Sequence, residues 1–184
     1  LAEEPSDQVL RQLGRTRPAS TRELATGGGA DYPPDEAACR LVVHRMASSA
    51  GISQQRAGTL LARYGSRAAA LAQRLAASGD RPLRHAPGYS ADEIGYLCLE
   101  TGVAHLSDLV IRRTLLAIRG QVDGAALSEL ADVAAEVLGW SAARREQELR
   151  DCTRLLRERH GVRLSPLVPP SGAPAPFEAS SLVP

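Results

Sequence analysis

The chain is 184 residues long, with 43% hydrophobic and 23% charged residues, the usage of one ordinary globular domain plus tails. Its 22 basic residues, all arginine, stand against 21 acidic ones, and a net charge of +1 is too weak to draw the whole chain to nucleic acid. Aromatics at 3% leave little for base-stacking platforms, and no apolar run approaches the roughly 20 residues of a membrane span. Cys39, Cys98 and Cys152 are odd in number and far apart, which argues against a disulfide framework or a CxxC metal site. The acidic start Leu1-Ala2-Glu3-Glu4 lacks the blocks of a signal peptide, so a reducing cytoplasm is the expected setting.

The stretch Thr16 to Pro34, with Gly27-Gly28-Gly29 and Pro33-Pro34, reads as a long irregular connector. Pro33-Pro34-Asp35 opens a first helix with Ala38, Leu41, Val42 and Met46 on one face. Ser53 caps a second, with Ala57, Leu60, Leu61 and Tyr64 inward, and Gly65 stops it. Ser66 starts a third, Leu71 and Leu75 inward, ending at Gly79; a proline-containing loop from Asp80 to Tyr89 follows. Ser90-Ala91-Asp92-Glu93 is a capping box for the fourth, which carries Ile94, Leu97 and Cys98. Ser107 caps a fifth over Asp108 to about Arg119, and the sixth spans roughly Gly124 to Leu138. Ser141 caps the last, ending at Gly161 with Leu149, Cys152, Leu155 and Leu156 inward. No window alternates with period two for long. The expected fold is all-α: a compact bundle of about six to seven short helices, an irregular N-terminal connector, and a disordered proline-rich tail over residues 162–184.

The fifth helix breaks its own pattern. Leu109, Val110, Ile111, Leu115, Leu116 and Ile118 make it apolar nearly all round, which predicts burial on several sides, yet it carries Asp108, Arg112 and Arg113. Asp108 and Arg112 are four apart on one face in the favourable order, so a structural ion pair where water is scarce is expected. A guanidinium holding an anionic ligand is the sharper, less favoured alternative. Trp140, the one tryptophan, is expected to wedge between the last two helices.

Taken together, Glu93-Ile-Gly-Tyr96 and Leu106-Ser107-Asp108-Leu109-Val-Ile-Arg112-Arg113-Thr114 resemble the C-terminal helical domain of FAD-dependent glycerol-3-phosphate dehydrogenases. The Tyr64-Gly65 turn and Leu138-Gly139-Trp140-Ser141 resemble two further features of that domain, and Leu1-Ala2-Glu3-Glu4 with Val9 to Gly14 resembles the last helix of its flavin domain. The family's glutamate seven residues before Asp108 falls here at Thr101, with Glu100 one place earlier. The resemblance implies three parts: residues 1–34, a remnant of the flavin domain plus linker; 35–161, the helical domain; and 162–184, the tail. It implies a parent that oxidises sn-glycerol 3-phosphate to dihydroxyacetone phosphate through FAD, cytoplasmic or peripheral on the cytoplasmic membrane face. The partner it implies is the FAD-binding domain of the same parent chain.

In this chain itself no cofactor is expected, for no G-x-G-x-x-G follows a strand and the glycine triplet sits in a loop. His44, His85, His105 and His160 show no zinc spacing, so no metal is expected either. The role expected for the fragment is structural or interactive rather than catalytic, with Asp108, Arg112, Arg113 and Trp140 as the ion-pair or interface residues. The alternative is a small nucleic-acid module, since Gly51-Ile52-Ser53 through Ser66 resembles a single helix–hairpin–helix, a turn whose amides grip phosphates. With so little net charge the chain should bind duplex DNA no tighter than about 10⁻⁴ M at physiological salt, measured by anisotropy. Submicromolar, salt-steep binding lost on mutating Arg56 and Arg63 would favour the hairpin.

Overall fold

The computed structural model describes residues 3–162 and 164. Among them are seven α-helices and no named strand, so the all-α expectation holds. The proline-rich tail expected over 162–184 lies outside the described residues apart from Val162 and Leu164. By its internal contacts the chain divides into two compact units, residues 1–78 and 79–184.

The first unit holds α1 (Glu3–Gln12), α2 (Glu36–Ala50), α3 (Gln54–Tyr64) and α4 (Ala68–Ser78). Asp35 starts α2 by accepting the Ala38 N–H at 2.8 Å, and Ser53 starts α3 by accepting the Arg56 N–H at 3.1 Å. Met46, Ala57, Leu60, Leu61, Leu71 and Leu75 form a small core among α2, α3 and α4. Leu41 was expected on the inner face of α2 but is 62% exposed, because Met46 and Ala47 occupy the covered side. Ser66 was expected to cap α4. It lies instead in a 3₁₀ turn (Gly65–Arg67) that runs straight into α4.

α1 contributes no buried side chain and packs against none of the other helices. It is tied to the connector by charge. Arg17 grips Asp7 through Nε at 3.0 Å and Nη2 at 2.8 Å, and its Nη1 pairs with Glu3. The Glu3 carboxylate also accepts the Thr21 N–H and the hydroxyls of Ser20 and Thr21. The Thr21 amide first, opposed by desolvation but joined by those hydroxyls and Arg17, pulls the Glu3 carboxyl down to about 2.

The far end of the connector is fastened as well. The Ser66 N–H donates to the Gly28 carbonyl at 2.9 Å, and the two backbones touch. A Cβ on Gly28 would collide with the Tyr64 carbonyl, and one on Gly65 with the Gly28 carbonyl. Gly65 also sits at φ 58°, ψ −135°, a region that only glycine adopts without strain.

In the second unit the loop after Gly79 folds back on itself, the Leu83 N–H donating to the Tyr89 carbonyl and the Tyr89 N–H to the Ala86 carbonyl, both at 2.9 Å. Glu129 pins it by accepting the Arg84 and His85 N–H groups at 2.8 Å each. α5 (Ala91–Glu100) begins at Ser90, whose hydroxyl accepts the Glu93 N–H at 3.0 Å. α6 (Gly124–Leu138) and α7 (Ala142–His160) complete the unit, α5 packing on α6 and α6 on α7. Ile94, Leu97, Leu106, Leu109, Leu127, Leu130, Leu149 and Leu156 build its core.

Between α5 and α6 the expected long fifth helix does not form. Asp108–Arg113 is a π-helical segment that stops at Thr114, and a separate turn carries the chain to Gly120.

Substituting Gly65 with alanine should cost about 1–3 kcal/mol from backbone strain alone. Gly28→Ala should leave α2–α4 folded but expose the connector, seen as faster proteolysis between residues 21 and 32. Equal cleavage rates in wild type and Gly28→Ala would mean the contact does not hold the connector.

Candidate functional site

The strongest concentration of polar groups surrounds the start of the π segment. Glu148 lies on the same stripe of α7 as Cys152 and Leu156, and is 6% exposed. One of its oxygens accepts the Leu106 N–H at 3.0 Å; the other takes His105 Nδ1 at 3.0 Å and Arg144 Nε at 3.1 Å. Beside a carboxylate, that imidazole nitrogen carries the proton and donates. Arg144 reaches on to the Ala104 carbonyl at 3.2 Å, and its guanidinium lies 5.6 Å from the centre of the Trp140 ring.

Asp108 completes the arrangement from within the segment. It accepts the N–H groups of Ala104 at 3.1 Å and His105 at 2.9 Å, while Arg112 Nη1 meets its other oxygen. Three consecutive amides, 104 to 106, thus end on two carboxylates, satisfying donors that a helix start leaves without partners. Burial alone would push the Asp108 carboxyl up, but the His105 and Ala104 amides with Arg112 outweigh it, and it lies below its ordinary value.

The expected cap, Ser107, does not act: it is already helical and its hydroxyl makes no capping bond. The expected burial of the ion pair is also corrected. Asp108 is sheltered at 14% exposure, but the Arg112 side chain is 66% exposed. The segment's other charge, Arg113, is exposed. Trp140 follows the α6 terminus, where Gly139 is left-handed and the Trp140 N–H reaches the Ala135 carbonyl at 3.0 Å.

Thr114 closes the other end of the segment. It is 7% exposed, and both its N–H at 2.9 Å and its hydroxyl at 2.8 Å donate to the Leu109 carbonyl, an i to i+5 closure of the widened turn. The Tyr89 hydroxyl then accepts the Leu115 N–H at 2.9 Å.

Sequence patterning missed Glu148 and Arg144, weighed His105 only as a metal ligand, and met Thr114 only within the family motif. A signal existed for Glu148 alone, a carboxylate on an otherwise apolar stripe.

An open cleft of about 330 Å³ lies beside His105, Ser107, Glu148, Asp151, Cys152 and Arg159. Its cysteine is no nucleophile, for burial first and the Glu148 charge second push the Cys152 thiol up to about 12. Among the described residues no group of three or more His, Cys, Asp or Glu side chains could hold a metal. Among the described residues the glycine triplet does not fit a flavin fold either: no named strand is there for a βαβ unit, Gly28 is pressed against the Tyr64–Gly65 backbone, and the Gly29 N–H is spent on Thr26 at 2.9 Å. The hairpin fares no better. The Gly51 and Ile52 amides both bond back to the Ala47 carbonyl that closes α2, so they have none to offer a phosphate.

Residues 19–145 match the family described as the C-terminal domain of alpha-glycerophosphate oxidase. The chain belongs to that family. It is 34% identical over 110 residues to a glycerol-3-phosphate dehydrogenase of Mycobacterium leprae, covering 58% of this chain and 19% of the relative. Glycerol-3-phosphate dehydrogenase 2 of Mycobacterium tuberculosis and of Mycobacterium bovis are each 34% identical over 102 residues, 54% of this chain and 17% of theirs. The match thus spans less than a fifth of the length of these curated relatives. It makes this chain a C-terminal accessory domain of that type, and nothing in it supports a nucleic-acid module. Among the described residues no helix is long and apolar enough to cross a membrane.

Glu148→Ala should destabilise the chain by about 3 kcal/mol in urea unfolding, because it strands the buried Leu106 amide and releases His105 and Arg144. Arg112→Ala, acting on an exposed partner, should cost about 1 kcal/mol or less. A larger loss for Arg112→Ala than for Glu148→Ala would reverse the roles assigned here. The Asp108 contribution is fully present above about pH 4 and is lost as pH falls through its lowered folded value. Asp108→Asn should therefore flatten the acid limb of the stability profile.

Proposed function

We propose that this chain is the C-terminal helical accessory domain of a flavin-dependent glycerol-3-phosphate dehydrogenase. The parent would oxidise sn-glycerol 3-phosphate to dihydroxyacetone phosphate, passing electrons through FAD to quinone or oxygen. The observation that carries this is the family match over residues 19–145, with relatives that are all glycerol-3-phosphate dehydrogenases. Flavin and substrate chemistry would belong to the preceding domain, and this one contributes structure and contacts.

Residues 1–34 would then be the last helix of the flavin domain plus the linker, and residues 35–161 the helical domain. Two features support that division. The match starts after α1, and Val9 of α1 is 55% and Leu13 just beyond it 66% exposed with no helix against α1, as expected of an element whose own core lies elsewhere. The cytoplasm suits three unpaired cysteines.

The test has two arms. The purified 184-residue chain should be colourless, and the native polypeptide read upstream of Leu1 should encode a flavin domain and purify yellow, bleaching on addition of glycerol 3-phosphate. Stoichiometric flavin on the chain alone, or an upstream frame without a flavin domain, would overturn the proposal.

A further inference from the structure

The turn after the π segment is held rigidly from below and left bare above. Leu116 is 2% exposed, the Tyr89 hydroxyl holds the Leu115 amide, and the Gln121 N–H returns to the Leu116 carbonyl at 2.9 Å. On the outer side Leu115 is 42% and Ile118 85% exposed, three apart on one helical turn closed by the Arg119 N–H to the Leu115 carbonyl at 3.0 Å. Arg113 and Arg119 are exposed beside them, and neither guanidinium has an ion-pair or hydrogen-bond partner among the described residues. No acidic residue occurs between Asp108 and Asp123, and Asp108 is occupied by Arg112. An ordered aliphatic knob flanked by unpaired guanidinium groups has the composition of an interface centre, where arginine is enriched and pre-ordering lowers the entropy lost on binding.

We propose that this turn is the surface on which the domain seats against the flavin-bearing part of its parent polypeptide, Ile118 entering an apolar pocket and Arg113 and Arg119 meeting carboxylates at its rim. The inference rests on the function proposed above. The match covers under a fifth of each relative and is to a C-terminal domain, so most of such a polypeptide precedes this turn and is tethered beside it at high effective concentration. The uncompensated positive charge asks for an acidic partner. An anionic bilayer would also supply negative charge, but two aliphatic side chains with no aromatic anchor are a small payload for insertion.

The experiment compares hydrogen exchange of residues 113–120 in the full polypeptide and in the 184-residue chain. Exchange about tenfold slower in the full polypeptide is expected. Ile118→Glu and the double variant Arg113→Glu/Arg119→Glu should each abolish that difference, Ile118→Leu should retain it, and the melting temperature of the 184-residue chain should stay within about 1 °C in all of them. Equal exchange in both proteins would overturn the inference while leaving the proposed function standing. Co-sedimentation of the chain with phosphatidylglycerol vesicles, lost in Ile118→Glu, would also overturn it by assigning the turn to a membrane. An upstream frame without a flavin domain would remove the proposed function itself, and the inference with it.

Discussion

The second unit depends on where one carboxylate points. Glu148 rises from the core stripe of α7 and takes the Leu106 amide, the His105 ring and the Arg144 guanidinium, all within 3.1 Å. A buried charge of this kind persists only because every neighbour satisfies it, and the same neighbours are thereby fixed. Glu148 sets the start of the π segment, and the segment's apolar residues Leu109 and Val110 can then go fully into the core. Asp108 finishes the task from the opposite side, so the fragment of helix that follows α5 is capped by side chains 40 residues apart.

The same logic of satisfied backbone governs the connector. A stretch rich in glycine and proline reads as loose chain, yet its two ends are bound by different means. Near α1, carboxylates and arginines fold the chain back on itself. Near α3, two glycines let backbones approach so closely that no side chain fits between them. The glycine triplet that could suggest a phosphate cradle is thus accounted for by packing.

These features fit a C-terminal accessory domain. Its polar networks face inward onto helix ends, the Cys98 and Cys152 thiols are buried and pushed up by that burial, and its exposed cleft mixes both signs of charge. Outward, among the described residues, the turn after the π segment leaves Ile118 exposed and the Arg113 and Arg119 guanidinium groups without an ion-pair partner.

Much was legible in the sequence because it was local. Helix starts at Asp35, Ser53, Ser90 and Ser141 follow from a side-chain oxygen three residues before an amide, and that geometry needs no knowledge of the rest of the fold. Apolar periodicity placed α2 to α7, and the ordered series of short motifs pointed to the family. Ser107 and the helix to Arg119 misled, because the same pattern of apolar residues serves a continuous helix or a short segment plus a turn. Tertiary contacts decided between them: the helical turn begins before Ser107, with its leading amides 104 to 106 taken by Asp108 and Glu148, and the segment ends where the Thr114 N–H and hydroxyl both meet the Leu109 carbonyl. The exposure of Arg112 and Ile118 was decided there too, since periodicity gives the faces of a helix but not how many of them a neighbour covers.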